Sequence, residues 1–261
     1  MKVVADLFLT IFIPTLPPIK INRMNFLKKL FKKENIKEET KENTSNDNSS
    51  KEQEVNEATD TFFSENIFPK LKFGWEFQIK RQTVDGDKIE IQESQLPASI
   101  RIGETSLSII LVKDENQMVE WVKRQELNNI SINEGIEKSF RNLLEKYSDI
   151  GIGNIDTKSQ EIGKVGMIIN ASMYSGSLIL LEQIWKQIFD FLGTNKVHFI
   201  VPNSRLLIFC DANNIKGNGY LYGNAKHHYN TSFDKISEFV YYKKEGEVIK
   251  ELKDDDIEMD V

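Results

Sequence analysis

The sequence contains few of the residues that build disulfides and metal sites. It has one cysteine, Cys210, and three histidines among its 261 residues. A single cysteine excludes an intramolecular disulfide, and with it the bridged scaffolds typical of small secreted domains. A structural zinc site needs four nitrogen or sulfur ligands at defined spacings, which this stock of residues supplies poorly. We therefore expect no metal, and the lone cysteine favours a reducing, cytoplasmic setting.

The chain also lacks a basic excess and a long apolar run. Its formal net charge is −6 and its sequence pI is about 5.3. Domains that bind nucleic acid generally have a basic face and a high pI, so we expect no nucleic-acid partner. A membrane-spanning helix needs roughly 20 apolar residues, and the most apolar run, at residues 3–13, is about half that length.

No glycine-rich loop that could hold a phosphate group is present. Gly151-Ile152-Gly153 lacks the third glycine of a dinucleotide fingerprint, and Gly217-Asn218-Gly219 matches no signature. The sequence therefore predicts no nucleotide cofactor, and we expect no cofactor of another kind.

The first 61 residues precede the segment in which we expect a fold. Residues 1–23 are interrupted by three prolines. We interpret them as a doubtful leader, which is either sequence upstream of a start at Met24 or a membrane-targeting segment. Residues 37–61 contain almost no apolar side chain and predict a disordered linker.

Residues 24–36 predict a short basic amphipathic helix between these two segments. Phe26, Leu27, Leu30 and Phe31 share one helical face, and lysines crowd the flank beside it. Two interpretations remain open. Residues 24–33 could make a weak contact with an anionic membrane surface, or the segment could be a frayed helix at the start of a disordered arm.

Residues 62–252 predict an α+β domain with a largely antiparallel sheet, two long helices and a shorter third helix. A division into two lobes near residue 128 remains open, and residues 253–261 form an acidic tail. Alternating or aliphatic runs predict strands at 68–73, 75–82, 98–102, 106–112, 119–122 and 163–170. Turn residues predict hairpins at 196–210 and 236–252.

Three helices are expected within this domain. Ser131-Ile132-Asn133-Glu134 is a capping box, which predicts the start of the first helix. The second is expected at 177–191 and ends before Gly193, where a left-handed residue is wanted. A loop rich in asparagine and glycine is expected at 211–219, followed by a short helix at 220–228.

The segment from Ile130 to Asn214 resembles a known family in the order and spacing of three sequences. These are the helix ISINEGIEKSFRNLLEKY, the helix SGSLILLEQIWKQIFDFLG and the hairpin VHFIVPNSRLLIFCDANN. They resemble the YtpQ-like family of bacterial proteins, in which a strand with a Val-Pro turn precedes a strand ending in Ala/Cys-Asp. The resemblance covers about residues 68–252 and implies a cytosolic bacterial protein. The family has no established activity, so no functional position follows from it.

Candidate ligand-binding residues lie around the end of the predicted strand 205–210. Asp211 ends this hydrophobic strand and Asn213 follows it, and polar residues at a strand end often face a cleft. A carboxylate there could bind a cation or an amine. The alternative is that both residues cap the turn by bonding nearby backbone amides.

The histidines and the cysteine suggest two further sites, both of which have structural alternatives. His198 and Cys210 could lie on adjacent strands, as a cysteine nucleophile and its base require. Cys210 ends the run LLIFC, however, and a buried cysteine behaves as a small hydrophobe. His227 and His228 are neighbours on a predicted helix, so their side chains diverge by about 100° and cannot chelate one metal ion together.

Our leading hypothesis is a non-enzymatic binding or interaction module in a bacterial cytoplasm. Its ligand-binding candidates are Asp211, Asn213 and His198, and its expected partner is another protein. The alternative is a hydrolase-like enzyme with its site near Asp211.

Overall fold

The computed structural model describes most of the predicted domain at 62–252, together with residues 10–12 of the predicted leader. The described residues are 10–12, 66–74, 82–84, 87–89, 93–115, 118–127, 130–146, 150–157, 162–253 and 256. The predicted helix at 24–36, the predicted linker at 37–61 and nearly all of the predicted strand at 75–82 lie outside them. Within these ranges, no helix is both long and apolar enough to cross a membrane.

Within the described residues, three antiparallel sheets and three α-helices confirm the predicted α+β class. The strands are β1 (Thr10–Phe12), β2 (Ile67–Phe73), β3 (Gln82–Val84), β4 (Asp87–Ile89), β5 (Ser99–Arg101), β6 (Leu107–Glu115), β7 (Met118–Trp121), β8 (Gly151–Asn154), β9 (Val165–Ile169), β10 (Lys196–Asn203), β11 (Leu206–Asp211), β12 (Val240–Lys244) and β13 (Lys250–Glu251). The helices are α1 (Ile132–Lys146), α2 (Glu182–Leu192) and α3 (Ile215–Thr231).

A seven-stranded sheet forms the centre of the molecule. Its strand order is β1-β8-β9-β11-β10-β12-β13. A smaller sheet has the order β2-β6-β5, with β7 paired to β6, while β3 and β4 form a separate hairpin. Alternate residues of β10 enter two hydrophobic clusters: Val197, Phe199 and Val201 belong to one, and Ile200 to the other. The large sheet is therefore buried on both faces.

The larger cluster joins the two sheets. It contains Ile109 and Leu111 of the small sheet together with Phe199 and Tyr241 of the large sheet, and Trp185 of α2. The small sheet ends near the predicted lobe boundary at 128, but the sheets share this core. The smaller cluster packs α3 onto the opposite face of the large sheet, through Leu221 and Ala225.

The predicted ends of α1 and α2 can be compared with the structure. Ser131 Oγ accepts a hydrogen bond from Glu134 N at 3.2 Å, as a capping serine does. Gly193 adopts φ = 72° and ends α2. The predicted start of α2 at 177 is wrong, because residues 176–180 form a 3-10 turn and Leu181 is extended. Ser177 Oγ instead accepts the backbone N–H of Leu71, at 3.1 Å, and so covers the free edge of β2.

The third helix is the largest correction to the predicted elements. α3 has 17 residues, against 15 in α1 and 11 in α2, so it is the longest of the three helices that the structure describes and not the shortest. Most of the predicted loop at 211–219 belongs to its start. Asn214 caps the helix by accepting the N–H of Gly217 at 2.9 Å. A Cβ at Gly217 would lie 2.6 Å from Asn214 Nδ2 and 2.8 Å from Asn214 Cγ, so a larger residue at this position would displace the capping side chain.

The final hairpin also differs from the prediction. Its first strand begins at Val240 and not at residue 236, and its second is Lys250–Glu251. The preceding segment instead runs along the end of β10, where Ile236 N donates to Pro202 O at 2.9 Å.

Candidate functional site

His198 and Cys210 lie side by side on the face of the large sheet that α3 covers. They are register partners on β10 and β11, as the sequence predicted for adjacent strands. Asn218, in the first turns of α3, reaches both of them. Its Oδ1 accepts from His198 Nδ1 at 2.8 Å and from Cys210 Sγ at 3.5 Å. Its Nδ2 donates to Ala212 O at 3.2 Å, so one buried amide serves three neighbours.

The electrostatics of this cluster disfavour cysteine chemistry. Burial raises the pKa of the Cys210 thiol to about 12, and the nearby charge of Asp211 acts in the same direction. Burial also lowers the pKa of His198, although the hydrogen bond to Asn218 and the charge of Asp211 oppose that change. A neutral thiol beside a neutral imidazole does not supply the thiolate that a nucleophile requires. The predicted Cys–His pair is a satisfied polar contact in the core.

Asp211 and Asn213 lie at the surface just beyond this cluster. Asp211 Oδ1 accepts from Asn213 N at 2.9 Å, from Asn213 Nδ2 at 3.1 Å and from Thr194 Oγ1 at 3.3 Å. This is the geometry of an Asx turn, in which the side chain replaces a backbone acceptor. The structure thus brings Asp211, Asn213 and His198 to one end of the sheet, with one carboxylate oxygen occupied by the turn.

A shallow groove of about 610 Å³ adjoins Thr194. Its lining residues include Phe189, Gly193, Asp190 and Glu245. Asp190 pairs with Lys186 across one turn of α2, at 2.7 Å, and both side chains are exposed. Converging buried polar groups, which typify a catalytic pocket, are not among its lining residues.

The histidines of α3 do not form a metal site. The rings of His227 and His228 lie 5.2 Å apart between centroids. Burial lowers the pKa of His228, and the neighbouring His227 lowers it further. Across the described ranges, no group of three or more histidine, cysteine, aspartate or glutamate side chains could hold a metal ion.

The sequence analysis missed a surface at the opposite end of β10, which we call the Phe233 turn (residues 232–235). Ser232 Oγ accepts from Asn203 Nδ2 at 2.7 Å. Asp234 accepts hydrogen bonds from Ser204 Oγ and, at 3.1 Å, from Lys72 Nζ. Lys70 Nζ lies 3.5 Å from the same carboxylate. The turn is therefore fixed on both sides of Phe233.

Asp234 is held in its charged form by these neighbours. Burial alone raises the pKa of its carboxyl, but the Ser204 hydrogen bond and the charges of Lys70 and Lys72 outweigh burial and leave the pKa below its ordinary value. The anchor is consequently ionised at neutral pH.

Phe233 itself contacts little of the protein. Its relative exposure is 106%, so it is as exposed as in an isolated extended peptide. Lys235, the last residue of the turn, and Arg205, beside the turn, are both exposed cationic residues. Lys235 Nζ lies 5.0 Å from the ring centroid of Tyr229. Arg205 forms no ion pair with any described carboxylate. A lone phenylalanine in the polar stretch NTSFDK was the only sequence signal for this surface.

Comparisons with protein-family models, curated proteins and solved structures gave no match for this chain.

Proposed function

We propose that this chain is a non-enzymatic protein-binding module of a bacterial cytoplasm, and that it binds its partner through the Phe233 turn. The observation that carries this proposal is a fully exposed phenylalanine on a turn whose neighbours, Ser232 and Asp234, are both anchored. The cytoplasmic setting is supported by the single buried cysteine, and the bacterial origin by the resemblance to the YtpQ-like family.

The chemistry of this surface is typical of a binding hot spot. Hot spots are enriched in aromatic residues and arginine, and a few such side chains supply most of the binding energy. Phe233, Tyr229 and Arg205 provide this combination. Because hydrogen bonds and ion pairs already hold Ser232 and Asp234, little backbone entropy remains to be lost when a partner binds.

The enzymatic alternative near Asp211 has weaker support. Its carboxylate holds an Asx turn, the thiol of Cys210 is fully buried, and His198 is 7% exposed. A catalytic base should instead reach a substrate proton from a cleft. The polar residues at this end of the sheet are explained by the hydrogen bonds that they make to one another.

Photo-crosslinking tests the proposed binding surface. The full chain would carry a benzophenone amino acid in place of Phe233 and be irradiated in living bacterial cells. The matched control carries it in place of Val248, which is 39% exposed and lies at the other end of the sheet. We expect position 233 to form crosslinked adducts with a partner protein, each of a defined mass, and we expect position 248 to form none of these adducts. No adduct from position 233, or the same adducts from both positions, would contradict the proposal.

A further inference from the structure

We infer that the surface around Phe233 binds an acidic peptide segment that also contains apolar residues. Residues 254–261 of this chain occupy this surface when no other partner is bound. The inference rests on the proposed function, since both assign protein binding to the Phe233 turn. The inference goes further in two ways: it names residues 254–261 as one occupant of the surface, and it states the chemistry that a partner competing with them would need.

The surface is locally cationic in an acidic protein. The whole chain has a formal charge of −6. Beside Phe233, however, Arg205 and Lys235 are exposed cations, while the carboxylate of Asp234 is already bound by Lys70 and Lys72. An occupant should therefore carry carboxylates beside the apolar groups that cover Phe233.

Residues 254–261, with the sequence DDDIEMDV, have this composition. They contain five carboxylate side chains and the apolar residues Ile257, Met259 and Val261. From residue 256 onward, acidic and apolar residues alternate. An extended peptide places alternate side chains on opposite faces, so its apolar side chains can cover Phe233 and Tyr229 while carboxylates at its margin reach Arg205 and Lys235.

The segment starts close enough to reach the Phe233 turn of the same molecule. Leu252 N donates to Val240 O at 3.0 Å, which fixes the start of the segment beside the first residue of β12. Phe233 precedes Val240 by seven residues, so the two positions are at most about 25 Å apart. Eight residues, 254–261, extend up to about 28 Å.

One turn opposes full extension of the segment. Asp256 N donates to Lys253 O at 2.9 Å, and Lys253 N donates to Asp256 Oδ2 at 3.0 Å. The turn is exposed, so water can replace both hydrogen bonds when it opens. A tethered segment also acts at an effective concentration in the millimolar range, so modest affinity suffices to fill the surface.

Crosslinking within the purified full chain tests this inference. The chain carries the benzophenone amino acid in place of Phe233 and is irradiated alone at low concentration. Trypsin cleaves after Lys226, Lys235 and Lys253, so it releases residues 227–235 and 254–261 as separate peptides. We expect mass spectrometry to find these two peptides joined in protein of monomer mass.

A charge reversal gives the matched comparison. Arg205→Glu should lower the yield of the joined peptides about fivefold, because it replaces an attraction with a repulsion. Arg141→Glu makes the same change at an exposed position on α1 and should leave the yield unchanged. Equal loss in both variants would overturn the assignment to this surface, and unchanged melting curves establish that both variants are folded.

The remaining outcomes separate this inference from the proposed function. Joined peptides found only in protein of dimer mass would overturn binding within one molecule and assign the segment to a second copy. If position 233 captures other proteins in cells but never residues 254–261, the inference fails and the proposed function stands. If it captures neither, both fail.

Discussion

The two ends of β10 carry polar groups in opposite situations. At one end, His198, Cys210, Asp211 and Asn218 bond to one another or to nearby residues of the chain. At the other end, hydrogen bonds fix the Phe233 turn but leave its largest apolar side chain in water. Residue types that typify active sites are thus used for folding here. The residue that folding does not explain is an ordinary phenylalanine.

The difference shows that the type of a residue is a weaker guide to a binding site than whether its polar and apolar groups already have partners within the protein. A buried polar atom with its partner in place needs no further ligand. An exposed aromatic ring on a rigid turn gains free energy when another surface covers it. The following predictions test this contrast, beginning with the largest expected effect.

At the end of β10 where His198 and Cys210 lie, which we call the satisfied end, Asn218 is the residue whose substitution should lower stability most. Asn218→Ala removes the partner of His198 Nδ1 and of Ala212 O, and the site is almost closed to water. We expect the free energy of unfolding to fall by about 2–4 kcal/mol, as measured by urea denaturation. Asn224→Ala is the control, because Asn224 Nδ2 donates to Tyr220 O within the same helix and its loss should have a much smaller effect. Equal losses in the two variants would mean that the hydrogen bonds of Asn218 contribute no more to stability than the hydrogen bond of Asn224.

Asp234 should be the corresponding residue at the other end. Asp234→Asn keeps the shape of the anchor but removes the charge that faces Lys70, which is 8% exposed. Since the carboxylate is about half-buried, we expect a loss of about 2 kcal/mol in the free energy of unfolding.

The control for this anchor is an exposed ion pair. Asp190→Asn breaks the pair with Lys186 and should leave the urea midpoint unchanged. An unchanged midpoint for Asp234→Asn as well would show that the Phe233 turn is not anchored through this residue.

Local sequence signals predicted the elements that local contacts determine. The capping box at Ser131, the left-handed Gly193 and the hairpin of β10 and β11 all depend on residues close in sequence. The start of α2 was mispredicted because Ser177 bonds Leu71, which is 106 residues away. A pattern of short-range spacings cannot contain that contact.

In the candidate site, too, the contacts that depend on local sequence were predictable and the long-range ones were not. The register of β10 and β11 placed His198 beside Cys210, but Asn218 was assigned to a loop because glycines surround it. Exposure of Phe233 depends on the anchoring of Asp234 by Lys72, which lies 162 residues from Asp234 along the chain. Without that contact, a lone phenylalanine near a strand most simply predicts core.

Acid should weaken the satisfied end. The folded-state pKa of His198 is lower than its ordinary 6.5, so its contribution to stability is complete above that pH. It is lost as the pH falls from 6.5 through the folded-state pKa, because the unfolded chain binds the proton more readily. Urea midpoints should fall between about pH 7.5 and about pH 5.5. The slope should be shallower in His198→Gln, and an equal slope would assign the effect elsewhere, with His228 the first candidate.

Asp211 distinguishes a turn from an active site. Asp211→Asn keeps an oxygen that can accept the N–H of Asn213, so we expect the free energy of unfolding to change by less than about 1 kcal/mol. The crosslinking pattern from position 233 should also persist. A variant that folds like the wild type but loses the biological activity of the protein would favour the enzymatic alternative.

The claim that Phe233 serves binding and not folding is tested most directly by the stability of the Phe233→Ser variant. If Phe233 is displayed for binding and not for folding, its replacement in a chain that ends at Lys253, and so lacks the occupant inferred above, removes no contact with the fold. We expect the urea midpoint to stay the same, with the free energy of unfolding changed by less than about 0.5 kcal/mol. A loss of more than about 1 kcal/mol would show that Phe233 packs within the fold, and would contradict its role as an exposed binding residue.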